Sequence, residues 1–151
     1  MSPKRSNIAT LWNEIAVGDA AEPWSVGPLD VADFVRYAGA SGDFNRLHYD
    51  DAYARSAGFP SVFAQGMFQA GVLGAFVTTW LEPRGVRRFQ VRFVEVVWPG
   101  GILTCTGQVT SKYLHDDEQR VDVDILCRRQ TGTVVVRGSA TFALGSSAVQ
   151  T

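Results

Sequence analysis

Apolar residues fall into three successive patterns along the chain. In the first third they come as short clusters broken by turn residues. Trp12, Ile15 and Val17 make a small apolar patch that stops at Gly18-Asp19. Trp24, Val26 and Leu29, interrupted by Gly27-Pro28, predict a short first strand. Asp30 is a good helix N-cap, and Val31, Phe34, Val35 and Ala38 then recur at helical spacing. That helix is expected to stop between Gly39 and Gly42, where glycine tolerates a left-handed backbone. Asp50-Asp51 predict the start of a second short helix through Tyr53, Ala54 and Ala57, closed by Gly58 and Pro60.

The second pattern is a run without charge. From Ser56 to Leu81 no side chain is ionised. Gly58 and Pro60 break this run early, so the helical part is about Gly66–Leu81. That is too short to span a bilayer, which takes about 20 residues, and Gln65, Gln69, Thr78 and Thr79 interrupt it. A helix apolar nearly all round is instead expected to be surrounded by other structure. Its small residues, Gly66, Ala70, Gly71, Gly74 and Ala75, let a neighbour approach closely.

The third pattern is alternation. Phe89, Val91 and Phe93 face one way and Arg88, Gln90 and Arg92 the other. The apolar set then switches to Val94, Val96 and Trp98, which predicts a bulge near Val94–Glu95. Pro99-Gly100-Gly101 turns the chain. Leu103, Cys105 and Val109 follow, then a polar turn at His115–Glu118, then Val121, Val123, Ile125 and Cys127. Thr131-Gly132 turns it again into Val134, Val136, Ala140 and Phe142. Three long antiparallel strands in series form a meander. With one hydrophobic helix before them, the expected fold is α+β: a curved antiparallel sheet wrapped around a long central helix. Open sheet edges predict pairing with a second subunit.

Length fits one domain over residues 1–151, with flexible ends at about 1–7 and 145–151. A net charge of −1 gives no basic field to attract nucleic acid. The two cysteines, Cys105 and Cys127, sit in the alternating core pattern, with no CxxC or Cys/His cluster that would predict a metal site. A reducing, cytoplasmic setting is expected, since no apolar leader follows the polar N-terminus.

Candidate chemistry is concentrated in Ser41-Gly42-Asp43-Phe44-Asn45-Arg46-Leu47-His48. Asp43 and His48 are five apart, which on a helix would separate them by roughly 140°, so a helical metal pair is excluded. On a loop freed by Gly42 they can converge on one water and move protons near neutral pH. Taken alone, the residue types favour a plainer account: Asp43 caps the next turn and His48 lies at the core edge. Asn45 is a turn former able to orient the acid. Gly66 opens the apolar helix, where unsatisfied N–H groups can meet a ligand oxygen; ending the preceding loop explains it equally well.

This octapeptide, followed by Ala57-Gly58-Phe59-Pro60 and by Ala64-Gln65-Gly66-Met67, resembles the MaoC-like dehydratases and (R)-specific enoyl-CoA hydratases over roughly residues 20–144. The resemblance implies a hot-dog fold, the helix being the sausage and the sheet the bun. It implies that Asp43 and His48 form a dyad that activates water, that Gly66 N–H receives the thioester oxygen, and that Asn45 and Gly42 support the loop. The reaction would be reversible syn hydration of a trans-2-enoyl thioester to a (3R)-3-hydroxyacyl thioester. The substrate would be an acyl-CoA or acyl-carrier-protein thioester, with no metal or further cofactor beyond the coenzyme A or phosphopantetheine of the substrate. The assembly would be a homodimer or higher homo-oligomer, with a heteromer as the alternative. Gln65, Met67, Arg46, Phe63, Arg88 and Arg92 are the further substrate-binding candidates. Arg46 stands where the family usually has proline, and Gln65 where histidine is common. Arg84, Arg87 and Lys112 add to the positive charge after the helix, although an ordinary charged sheet face explains most of it. Two other functions remain open. One is a hot-dog thioesterase, which commonly carries an acid on or beside the central helix; Gly66–Leu81 has none, and the only nearby Asp/His pair lies in the preceding loop. The other is a partner subunit in a heteromeric dehydratase.

Overall fold

The computed structural model describes residues 8–146; the expectations for residues 1–7 and 147–151 fall outside the described residues. Four α-helices and five strands follow in order: α1 Ile8–Glu14, β1 Trp24–Val26, α2 Val31–Ser41, α3 Asp51–Ser56, α4 Gly66–Trp80, β2 Val86–Phe93, β3 Leu103–His115, β4 Glu118–Arg129 and β5 Val134–Ser146. Short 3-10 turns lie at Arg46–His48 and Pro83–Gly85.

Local sequence explains α2 well. Asp30 accepts from the Asp33 N–H and Asp33 accepts from the Asp30 N–H, a reciprocal capping box. The helix ends as Gly42 adopts φ 78° and its N–H returns to the Ala38 carbonyl. The expected patch at residues 12–17 spans the end of α1 and the segment after it, where Ile15 is buried and Val17 is exposed. Lys112 Nζ donates to the Trp12 and Ile15 carbonyls, 2.8 Å each, and lies over the Trp12 ring. Lys112 therefore closes a helix end and is not a free cation.

The sheet has strand order β1-β3-β4-β5-β2, every pair antiparallel. The expected meander is β3-β4-β5. Strand β2 crosses to the far side and pairs with β5, with Phe89 opposite Ala140 and Phe93 opposite Val136. Its other edge is unpaired among the described residues. The inner face carries Leu103, Cys105, Val109, Val121, Val123, Ile125, Cys127, Val136, Ala140 and Phe142, all buried. These enclose α4, whose Leu73, Phe76 and Val77 are buried, in the hot-dog arrangement. Full burial of each such side chain stabilises by about 1.5–3 kcal/mol before entropy is counted. Close approach of helix to sheet needs Gly107, because a Cβ there would lie 2.9 Å from the Trp80 ring and 3.3 Å from Phe76.

Beyond Phe93 the chain departs from the expected alternation. The N–H groups of Val94 and Glu95 both donate to the Val135 carbonyl, two residues against one as at a bulge. The ladder stops there, so the period of two stops with it. Val97, not Val94, Val96 or Trp98, is the fully buried residue, and its carbonyl accepts from Ala64 N–H at 2.8 Å. At the other end, Gly145 and Ser146 continue β5, although a frayed tail was expected from Gly145 onward. No helix among the described residues is long and apolar enough to cross a membrane.

Candidate functional site

The loop between α2 and α3 is held at several points. Ser41 Oγ donates to the Tyr37 carbonyl and accepts from Asp43 N–H, setting the backbone where the acid begins. Asp43 Oδ1 accepts from Asn45 N–H at 3.3 Å, and Asn45 Oδ1 in turn caps the 3-10 turn by accepting from Leu47 N–H at 3.1 Å. Tyr49 Oη donates to the Phe44 carbonyl. Asp50 caps α3 through Tyr53 N–H.

Arg46 belongs to this framework. Its Nε and Nη2 donate to Asp50 Oδ2 at 3.2 and 2.7 Å, and its guanidinium stacks 4.5 Å from the Tyr53 ring centroid. The Tyr53 N–H and then Arg46 hold the Asp50 carboxyl below the usual carboxylate range. Arg55 does the same for Asp51. Of the three neighbouring acids, Asp50 and Asp51 are committed to caps and arginines. Asp43 keeps Oδ2 clear of these ties.

His48 is turned inward. Its side chain is 9% exposed against 46% for Asp43. Nδ1 lies 2.8 Å from the Phe63 carbonyl. A carbonyl oxygen can only accept, so Nδ1 carries the proton and Nε2 of the neutral ring bears a lone pair. Nε2 is 3.7 Å from Asp43 Oδ2, beyond hydrogen-bond length. Two acceptors thus face one small space, and a donor between them satisfies both. Phe63 also packs edge-on against the imidazole, 5.2 Å between centroids, and is backed by Phe59 and Trp98. Phe63 therefore holds His48 through both its backbone and its ring.

Three residues after Phe63, α4 begins at Gly66. No side chain caps this helix; Phe68 N–H turns back to the Gln65 carbonyl at 3.1 Å, and the end of the helix dipole gives the Gly66 and Met67 N–H groups partial positive charge. A Cβ at Gly66 would meet the Phe93 ring at 3.5 Å, an ordinary contact. The surrounding fold tolerates a side chain there, so a requirement for glycine would come from a ligand. Met67 beside it is exposed.

The other substrate-binding candidates separate by position. Gln65 is buried, and its Nε2 donates to the Phe34 carbonyl at 2.9 Å, so it faces α2 and not an open site. Arg88 and Arg92 extend from the face of β2 opposite Phe89 and Phe93, away from α4; Arg88 bonds Gln90. Arg84 is paired with Glu82, and Arg87 with Glu118. Cys105 and Cys127 are register partners with free, buried thiols; the hydrogen bond to Cys105, with burial, pushes the Cys127 thiol up. Among the described residues no cluster of three or more His, Cys, Asp or Glu side chains is placed to hold a metal ion. Sequence reasoning missed the Phe63 carbonyl, since a backbone acceptor leaves no residue-type signal. It also missed the pairing of Arg46 with Asp50, although their i, i+4 spacing is the available clue.

Among curated proteins compared by sequence, none matches the chain. Among solved structures, the R-hydratase PhaJ1 of Pseudomonas aeruginosa, in its unliganded form, is 28% identical with a TM-score of 0.76, covering 87% of this chain and 83% of that one. The (R)-hydratase from A. caviae involved in PHA biosynthesis is 25% identical at the same TM-score, covering 87% and 98%. The ChsH1-ChsH2 complex from Mycobacterium tuberculosis shares the fold at 22% identity and a TM-score of 0.73, covering 85% and 97%. The MaoC-like domain model matches residues 14–129. The chain belongs to the MaoC-like dehydratase family.

Proposed function

We propose that this protein catalyses the reversible syn hydration of a trans-2-enoyl thioester to a (3R)-3-hydroxyacyl thioester. The observation that carries this is the 3.7 Å gap between Asp43 Oδ2 and His48 Nε2, with Nδ1 engaged by the Phe63 carbonyl. Both atoms accept, so one water can donate a hydrogen to each and turn an oxygen lone pair outward. Similarity to two R-hydratases supports the choice of substrate class.

In the hydration direction the water oxygen bonds C3 as its proton passes to the dyad. The C2–C3 π electrons move toward the thioester carbonyl, and the oxygen gains negative charge. The first-turn N–H groups of α4, led by Gly66, stabilise that charge. The dyad then returns the proton to C2, so water is added across the double bond. Asn45 and Gly42 keep Asp43 in place, and Arg46 stiffens the loop from outside. The reaction needs no cofactor beyond the coenzyme A or phosphopantetheine that carries the acyl group. Two free buried thiols fit a reducing cytoplasm. The open edge of β2 suits pairing with a second copy, with a related chain as the alternative.

The test is hydration of crotonyl-CoA and of longer and bulkier enoyl-CoAs, followed by loss of the enoyl absorbance. Activity with at least one member is expected, with Asp43→Asn and His48→Ala each lowering kcat/KM by at least about a hundredfold. Release of free CoA without hydration, or full activity in either variant, overturns the proposal.

A further inference from the structure

Two amide oxygens at the head of α4 have no donor. Gln65 Oε1 and Gln69 Oε1 are buried and accept no hydrogen bond among the described residues. The two residues are only 1% and 2% exposed. Natural interiors hold few such atoms, because a buried acceptor without a donor is a standing cost to the fold.

Their placement shows what would satisfy them. Gln65 is the N-cap residue of α4, with a non-helical backbone at φ −59° and ψ 139°, and Gln69 lies in the turn that follows, so both side chains start from the head of the helix. Gln65 already uses its amide nitrogen on the Phe34 carbonyl of α2. The buried side chains of α2, Phe34 and Ala38, carry no donor. Nor do the other buried side chains of α4, namely Ala70, Leu73, Phe76 and Val77. Arg129 Nε, the other buried side-chain atom without a partner among the described residues, reaches neither oxygen, so the donor must be small enough for a buried seam and able to serve two acceptors at once. A water molecule has two O–H groups and meets both conditions.

We propose that one internal water bridges Gln65 Oε1 and Gln69 Oε1. Phe34, Gln65, the water and Gln69 then form a continuous polar seam between α2 and α4. The seam joins the two parts of the candidate site. Helix α2 runs directly into Gly42 and Asp43, and Gln65 directly precedes Gly66. Gln65 and Gln69 are positioning residues: they hold the N-terminal turn of α4 at a fixed distance from the dyad. This catalytic consequence rests on the hydratase reading; the water site does not.

The experiment joins a crystal structure of the free protein to a double-mutant cycle with Gln65→Met, Gln69→Met and both. Expected is a water within about 2.7–3.2 Å of both Oε1 atoms. Gln69→Met is expected to lower Tm, and the double variant to lose scarcely more than the worse single variant, because either change breaks the same bridge. A rise in Tm on Gln69→Met, strictly additive losses, or an empty seam or direct amide–amide contact in the crystal overturns the water site. Positioning is read separately. In Gln69→Met, kcat for hydration is expected to fall on the order of tenfold with KM little changed, part of the loss that a displacement of ~1 Å can cause. An unchanged kcat overturns the positioning role even if the water is present. If no enoyl thioester is hydrated by the unaltered protein, the hydratase reading fails, and the crystal and the melting cycle still decide the water.

Discussion

Gly107→Ala is a sharp test of how tightly the sheet holds the central helix. In a strand with open space on that side, adding a methyl to glycine stabilises a protein by about 0.4–1 kcal/mol, because the unfolded chain loses freedom. Here the opposite sign is expected. The added Cβ would lie 2.9 Å from Trp80 Cζ3, 3.3 Å from Phe76 Cε1 and 3.4 Å from Trp80 Cε3. Carbon atoms settle at about 3.5–4.0 Å, so three ring atoms must retreat by up to about 1 Å. The rings cannot retreat singly, since they lie against each other with centroids 6.4 Å apart. Overpacking of this kind costs about 1–3 kcal/mol. For a chain of this size that is a fall in Tm of about 2–12 °C, measurable by calorimetry or circular dichroism. Trp80→Leu removes the rigid obstacle, so Gly107→Ala should cost less in that background. The candidate oxyanion end of α4 lies about 20 Å from Trp80, at 1.5 Å per residue, so kcat/KM of the folded fraction should hold. An unchanged or raised Tm for Gly107→Ala would refute the close-packing argument.

Two further outcomes are expected. Gly42→Ala should lower stability by about 1–2 kcal/mol and also lower hydration activity: its φ of 78° penalises a side chain although nothing lies within 4 Å. Gly42→Asn should recover part of both, and equal losses for Ala and Asn would contradict the left-handed cap as the cause. Glu118, bonded by Arg87 and Arg120, has its carboxyl lowered to about 2, against about 4.3 for free glutamate. A depressed folded value means that its stabilisation is full above about pH 4.5 and is lost as pH falls toward 2. The Tm difference between the unaltered protein and Glu118→Gln should therefore shrink from about pH 6 to about pH 3; a difference that stays constant would remove Glu118 as an acid-sensitive contributor.

What the sequence revealed and what it hid divide along physical lines. The bounds of α2 and α4 were legible, because Asp30, Gly42 and Gly66 are local signals for helix ends. The meander was legible because alternation and turn residues are also local. The side of the sheet taken by β2 was not, since a period of two identifies a face but never a neighbour. Val97 was hidden for a related reason: its burial depends on a backbone bond to Ala64 after the ladder has ended. The grouping of Asp43 with His48 could be read from their loop, and the gap between them fits it. The tautomer of His48 could not, since it depends on a main-chain oxygen fifteen positions away. Arg46 stands in place of the proline usual in the family. The structure gives it a brace to Asp50 and Tyr53 that does by side-chain contact what a ring would do by covalent restraint.

The open edge of β2 has a consequence for the life of the chain before it meets any partner. Phe89 and Phe93 remain 38% and 47% exposed beside that edge. A newly made chain therefore displays unpaired backbone groups next to aromatic rings, the pattern that recruits stray strands into aggregates. Arg88 and Arg92 interrupt that pattern from the strand's outer face. Stacking another strand in register would bring like charges together, while orderly docking between matched surfaces can spread them apart. On this view the two arginines act as gatekeepers of solubility, guarding the strand during synthesis and dilution.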